Sequence, residues 1–517
     1  MANKNLFKPV WGKLGIPADT WNNAGAVAYK FKAEHALAQY AATGCLNDTY
    51  YADAAGQLKE VSALCNVVNG KFIAQTALYC RQKGFMKDMP ALLCAALLLR
   101  DPESLRKVFG RVMDDAKMVR NFVQIIRSGV LGRKSLGTVA KRLVQQWLES
   151  RTDEQLFKAS VGQDPSLADV IKMVHPKPAN ERREALYAYL IGRPHKAELL
   201  PPVVQAFEAY KGGQSLEVPD VPFQMLTALK LGTAEWSDVA RRASWQTTRM
   251  NLNTFARHGV FAQPELVEIV ARRLRDPEAI GRARVFPYQL LMAYVSAGAE
   301  VPVQVKEALQ DAMELAIQNV PTIKGKVYVC PDVSGSMSGS ISGFRPGATS
   351  AVRCIDVAAL VAAAVLRKNP EAEVLPFEQS VCDLALNPRD SVMTNAGKLA
   401  AIGGGGTNCS APLALLNQKK AEGDLVIFVS DNESWMDAGR GRGTATQAEW
   451  NEFKARNPGA RLVCIDIQPN GNSQAQERAD ILNIGGFSDQ VFGIISLFAS
   501  GQLNPDHWVG IIGQMDL

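Results

Sequence analysis

KVYVCPDVSGSMS, residues 326–338, decides how the second part of this chain folds. Lys326 to Pro331 form a short apolar, β-branched run that reads as a buried strand. Asp332, Ser334 and Ser336 follow at once, a carboxylate and two hydroxyls at alternate positions of a tight loop. That spacing lets all three turn toward one point, where they offer a hard cation the oxygen ligands it takes. Magnesium is the ion the spacing suits. On its own, the same string is also an ordinary serine-rich turn.

Three further runs of the same kind lie downstream: Ala372 to Phe377 (AEVLPF), Asp424 to Ser430 (DLVIFVS) and Arg461 to Ile467 (RLVCIDI). Between the first two strands, Ser350 to Lys368 reads as a helix stopped by Asn369-Pro370. Buried strands alternating with helices predict a parallel, doubly wound sheet, which binds ligands at the carboxyl ends of its strands. Two more motifs fall on that edge. Gly403 to Gly406 run into Thr407-Asn408-Cys409-Ser410, and Ser430-Asp431-Asn432-Glu433 closes the third strand. The candidate metal ligands are therefore Asp332, Ser334, Ser336, Thr407 and Asp431, on adjoining loops.

Before Pro321 the periodicity is helical. Pro90 to Arg100, Leu136 to Leu148, Arg183 to Ile191 and Val303 to Gln318 place apolar residues three and four apart, and strand-like runs are almost absent. Breaks such as Asp101-Pro102, Asp164-Pro165, Lys211-Gly212-Gly213 and Asp276-Pro277 punctuate a stack of helices. No clean repeat period emerges, so a solenoid is not established by pattern. The pattern predicts two domains, residues 1–320 helical and residues 321–517 α/β.

The 517 residues, 47% hydrophobic and 21% charged, suffice for two or more cores. MANKNLFKPV has lysines but no apolar stretch after them, which does not read as a secretory leader. The longest apolar runs, Ala91 to Leu99 and Val357 to Leu366, fall short of the roughly 20 residues a membrane helix needs. Nine cysteines stand at 45, 65, 80, 94, 330, 354, 382, 409 and 464 without a CxxC pair, and read as reduced core thiols of a cytoplasmic protein.

Charge is unevenly placed. Residues 1–320 hold 41 Lys and Arg against 31 acids, and residues 321–517 hold 16 against 20. A positive excess confined to one domain fits a polyanion-binding surface, and equally a solvated helical domain. Arg127, Arg133, Lys134, Lys141, Arg142, Lys158, Lys172, His175 and Lys177 concentrate it. As a phosphate-contacting surface they would bind single strands with a salt slope near −0.7 per phosphate, so about −4 for six. Snorkelling side chains on a solvated face explain the same cluster, and His175 beside its prolines also reads as a packed loop residue.

Catalysis finds little support. Five histidines (35, 175, 195, 258 and 507) accompany no GxSxG, HExxH or GxxxxGK[ST], and Gly132-Arg133-Lys134-Ser135 has the wrong spacing for the last. Phosphoryl hydrolysis on one magnesium usually recruits further carboxylates. Glu433 and Asp437 are the nearby extras, and both read as solvated loop residues.

The three loop motifs resemble the metal-ion-dependent adhesion site of von Willebrand A domains. The resemblance implies that Ser334 and Ser336 bind the ion directly, that Asp332, Thr407 and Asp431 bind it directly or through water, and that an acidic group of a protein partner takes an open position. The helical part resembles the TROVE module of the Ro ribonucleoprotein family. It does so at Asn22-Asn23-Ala24-Gly25-Ala26, Gly44 with Asp48-Thr49-Tyr50-Tyr51, Arg81 with Pro90 to Leu93, Gly132-Arg133, Lys158 to Pro178, and Arg284-Val285-Phe286-Pro287-Tyr288. GGGTNCS (404–410) and VSDNES (429–434) are Ro-like as well.

The family implies an all-α, HEAT-like helical-repeat ring followed by an α/β doubly wound, Rossmann-like A domain. It further implies a non-enzymatic RNA-binding protein. A small structured non-coding Y RNA would bind a basic outer surface, and single-stranded ends of misfolded RNAs would enter a central hole. The implied role is RNA quality control or a tether to a 3′ exoribonuclease. Lys158 and His175 match family positions linked to RNA. The chain departs from the family at Gly162, where an arginine can stand, and at Phe286, commonly histidine. The alternative from another class is a metal-dependent protein-binding scaffold.

Overall fold

The computed structural model describes residues 17–517 apart from 228, 230, 284–286, 319, 345–351, 437–442, 487, 489 and 504–505. Arg284, Val285, Phe286 and Asp437 lie outside the described residues.

The run that opens the α/β part forms the strand Val327–Pro331, every residue of it buried. In chain order the strands are β1 (Thr20–Trp21), β2 (Val27–Lys30), β3 (Val327–Pro331), β4 (Glu373–Val374), β5 (Leu425–Ser430), β6 (Arg461–Asp466), β7 (Asn472–Ser473) and β8 (Ile481–Gly485). Five of them form one parallel sheet in the order β4-β3-β5-β6-β8. The predicted doubly wound sheet is therefore present. Period-two alternation sends Tyr328, Cys330, Val426, Phe428, Leu462 and Cys464 to one face, where Leu413, Leu416, Trp450 and Phe453 cover them. The helix Cys354–Lys368 packs on β3 and β5, its alanine-rich sequence letting it lie close.

Sequence pattern missed β8 and the small sheet β1-β2-β7. β1 and β2 join in a tight hairpin in which Gly25 adopts φ +79, a conformation glycine tolerates without strain. β2 then pairs with β7, Tyr29 opposite Ser473 and Lys30 opposite Asn472.

The chain divides into two compact units along a line other than residue 320. One gathers Met1–Val68, as far as it is described, with Phe286–Met292 and Met313–Met515; the other gathers Asn69–Val285, Ala293–Ala312 and Asp516–Leu517. Within the first unit, the helix Ala33–Thr43 contacts β8 and the helix His507–Gly513. His35 stacks on Phe31 with ring centroids 4.1 Å apart and meets Trp508 edge-on at 5.7 Å.

The second unit is helical in all its described elements, from Gly70–Gln82 to Pro277–Ala283. Amphipathic faces build it, as in Ala116–Ser128, where Met118, Val119, Phe122, Val123 and Ile126 are buried. Asp115 caps that helix through the Met118 amide, and Gly129 ends it at φ +82. Among the described residues no helix is long and apolar enough to cross a membrane. Seven of the nine free cysteines are buried; Cys45 and Cys382 are partly so.

Candidate metal centre and candidate nucleic-acid interface

β3 ends at Pro331 and the chain turns sharply, held by the Asp332 amide donating to the Val429 carbonyl and the Val333 amide to that of Phe377. The Ser334 amide donates to Asp332 Oδ1 at 2.9 Å, folding the loop over its own carboxylate. The glycine-rich loop joins it through Gly335 N to the Gly405 carbonyl and Gly404 N to the Val333 carbonyl. Gly404 adopts φ +131 and Gly405 φ +67, and a Cβ on Gly405 would strike the Glu378 carboxylate. Only glycine allows this approach.

The five predicted ligands are brought together. Thr407 Oγ1 donates to Ser334 Oγ at 2.8 Å, and Ser334 and Ser336 share a hydroxyl contact at 3.2 Å. Ser336 also bonds the Asp431 carboxylate, and Asp431 lies close enough to Asp332 to disfavour its charge. All five are at most 6% exposed. Ser430 Oγ, which sequence reasoning passed over, donates to Asp332 Oδ2 at 2.6 Å.

Burial raises both Asp332 and Asp431 well above the carboxylate range; Asp431 further hinders the ionisation of Asp332, and Glu433 that of Asp431. Neither meets a lysine or arginine in an ion pair among the described residues. Two buried carboxylates side by side with three hydroxyls and no cationic side chain make an oxygen set that a divalent cation would neutralise. The residues present fit such an ion.

Glu433 corrects an expectation. It is 1% exposed rather than solvated, because the β1-β2 hairpin covers it. Asn23 Nδ2 donates to Glu433 Oε1 at 2.6 Å and the Ala24 amide to Oε2 at 3.3 Å, while Asn22 Nδ2 donates to the Ser434 carbonyl at 2.7 Å. Burial pushes the Glu433 carboxyl up to about 7. Tyr51 reaches Ser336 with a hydrogen bond and is pushed upward by burial and by Asp431. No local sequence signal announces these contacts.

In the helical unit, Ala116–Ser128 and Gly137–Glu149 both pack against Leu167–Val174. Gln145 Nε2 fixes the last pair by donating to the Val174 carbonyl at 2.6 Å. These three helices and their ends carry most of the cluster. Arg127, Lys134, Arg142, Lys172, His175 and Lys177 are exposed, whereas Arg133 and Lys141 are partly buried. Arg133 folds back, its Nε donating to the Ser135 carbonyl at 2.6 Å. His175 caps its helix at φ 51 and stands in solvent rather than packing in the loop.

Lys158 is placed differently. Its Nζ lies 2.7 Å from Glu154 and 2.8 Å from Asp220, beside a cavity of about 330 Å³ that includes Arg242 and Ser244. The two acids raise its pKa against the opposing pull of burial. At Gly162, φ is +107 and a Cβ would lie 2.6 Å from Arg120 Nη2. The guanidinium of Arg120 thus fills the space beside the residue where the resemblance places an arginine.

Residues 326–499 match the Ro60 vWA domain model. Over 526 aligned residues the chain is 25% identical to the RNA-binding protein RO60 of Deinococcus radiodurans, covering 93% of this chain and 95% of that protein. It is 23% identical to the RNA-binding protein RO60 of Caenorhabditis elegans over 46% of this chain and 37% of the relative. A crystal structure of the Ro (RSR) protein of Deinococcus radiodurans superposes with a TM-score of 0.60 at 21% identity, across 91% of this chain and 100% of that one.

Proposed function

From its similarity to RO60 proteins, one of them along 93% of this chain, and from the Ro60 vWA match at residues 326–499, we propose that it is an RNA-binding protein of the Ro type rather than an enzyme. The observation that carries this reading is the group of exposed cations on the helices Ala116–Ser128 and Gly137–Glu149, which both pack against Leu167–Val174, and on the loops at the helix ends. Arg127, Lys134, Arg142 and Lys177 share that surface with Lys172, and none of these four is in an ion pair among the described residues. Exposed cations without carboxylate partners bind phosphates without first giving up an ion pair. The ligand we propose is a small structured non-coding RNA of the Y type. Single-stranded ends of misfolded RNAs are the second substrate, handled with a 3′ exoribonuclease partner in RNA quality control in the cytoplasm. Lys158 joins this surface when RNA phosphates replace Glu154 and Asp220.

The oxygen cluster supports a second, compatible reading. Asp332, Ser334, Ser336, Thr407 and Asp431 hold magnesium, which supplies a positive centre for an anionic partner group. An acidic protein side chain there would make the A domain a docking scaffold.

The test starts with gentle purification and sequencing of the nucleic acid that travels with the protein. An abundant small structured RNA is expected, and Lys134→Glu, Lys172→Glu and Lys177→Glu together should weaken its binding and flatten the salt slope by about 2. Background RNA alone, from intact protein, would overturn the reading in favour of the scaffold.

A further inference from the structure

A cavity of about 520 Å³ lies beside the small sheet, and none of the residues that line it belongs to the oxygen cluster or to the basic helices. β2 and the start of the helix Ala33–Thr43 form one wall, the turn that follows β7 a second, and the start of the helix His507–Gly513 a third. All of these belong to one compact unit. Small-molecule sites commonly enclose roughly 300–1,000 Å³, apolar walls with a few convergent polar groups. Tyr29, Phe31, Ala475 and Val509 supply the apolar walls here.

The polar atoms left without partners are acceptors. Glu477 lines the cavity, and both hydrogen bonds that it takes from Asn483 fall on Oε2. Its Oε1 has no hydrogen-bond partner, and its carboxyl is in no ion pair, among the described residues. His35 lines the cavity as well. Burial pulls its pKa down to about 3, so the ring is neutral. A neutral imidazole has one N–H, and the hydrogen bond to the Asn483 backbone raises the ring's pKa, as a bond that the ring donates does. The other nitrogen, Nε2, is therefore an acceptor, and it is buried without a partner. Arg478 also borders the cavity, but its guanidinium is already engaged by Asp480, at 3.0 and 2.8 Å, and by Asn451, at 2.8 Å.

Charges of both signs stand around the cavity nearer to solvent. Lys30, Lys32 and Asp506 are exposed and Glu34 partly so, and none of the four is in an ion pair among the described residues. A ligand that carries only negative charge would leave the inner acceptors unmatched. A guanidinium or ammonium on an apolar stem matches them, donating to the carboxylate and resting against aromatic rings. The outer charges suit the other end of the same molecule, Lys30 and Lys32 facing a carboxylate and Glu34 and Asp506 an amino group.

We propose that this cavity binds a free cationic amino acid, its side-chain guanidinium or ammonium against Glu477 and His35 and its α-carboxylate at Lys30 and Lys32. The site stands independently of the RNA-binding reading.

L-Arginine and L-lysine are titrated into the full chain at pH 8 by isothermal titration calorimetry. L-Citrulline, in which a neutral ureido group replaces the guanidinium, and agmatine, which lacks the carboxylate, are run beside them. Saturable binding of at least one of the two cationic amino acids is expected, with citrulline weaker by about tenfold or more, as loss of one charged hydrogen bond implies. Glu477→Gln keeps the shape of the side chain and should weaken the bound amino acid by about ten- to a hundredfold. Lys30→Ala combined with Lys32→Ala, both surface changes, should weaken it too and leave agmatine unaffected. Failure of both amino acids to bind at millimolar concentration, citrulline equal to the better of them, or unchanged affinity in either variant overturns the proposal.

Discussion

Glu477 holds its carboxyl against Asn483, with Oε2 accepting from the Asn483 amide at 2.9 Å and from its Nδ2 at 2.7 Å. Burial pushes it from 4.5 up to about 7, and the two hydrogen bonds pull it only partly back. A carboxyl raised in the folded state binds its proton more tightly there than in the unfolded chain. Its contribution to stability is therefore complete below pH 4.5 and is lost as pH climbs through about 7. Glu477→Gln keeps an oxygen for Asn483 and has no proton to lose. The variant should match the parent in acid and exceed it in stability above neutrality, with urea midpoints across that range as the measurement. A difference that does not vary with pH would remove Glu477 as the titrating group. Legibility differs residue by residue for the same physical reason, namely the range of the contacts. Asp332, Ser334 and Ser336 declare themselves by alternate spacing. Glu433 does not, because the Asn23 that buries it lies 410 positions away.

At the level of elements, the parallel sheet was legible where a buried strand carries an unbroken apolar run. β3, β5 and β6 were foreseen to within a residue at each end, since continuous apolar runs of that length between turns have few other uses. β4 is shorter than expected, Glu373–Val374, although Leu375 and Phe377 still donate to the Val329 and Pro331 carbonyls and so continue the pairing past its end, while Pro376, which has no N–H, faces the open edge of the sheet. β8 escaped notice because Asn483 and Gly485 interrupt its apolar run. Three loops at the carboxyl edge meet at the oxygen cluster, so a cation there should tie β3, β5 and the glycine-rich loop together. Magnesium is expected to raise the thermal midpoint of the parent protein with the logarithm of its concentration above the dissociation constant, since a ligand that binds only the folded state stabilises it. Asp332→Ala should erase that response. A midpoint indifferent to magnesium in the parent would rule out the cation reading, whatever the variant did.

For the whole molecule, the change of pattern near Pro321 marks where strands begin, yet the compact units follow tertiary contact instead. Residues up to Val68 share a unit with the α/β part, and nothing in their composition says so. The helix Ala33–Thr43 lies on β8, burying Leu37, Ala38 and Ala41, and His35 covers Trp508, which is fully buried. A fragment cut where the sequence pattern changes, residues 321–515, would bare these apolar surfaces together with the β7 edge that β2 pairs with. Such a fragment should aggregate or bind a hydrophobic dye. Supplying residues 1–68 in trans should restore a soluble, cooperatively unfolding complex, because the missing strand and helix return to the surface they cover in the full chain. Light scattering and thermal unfolding of the fragment with and without that segment decide it. If residues 321–515 alone are monomeric and unfold cooperatively at the midpoint of the full chain, the N-terminal segment contributes nothing to the fold of this unit. The hairpin over Glu433 would then be an appendage of the metal site and not part of its foundation.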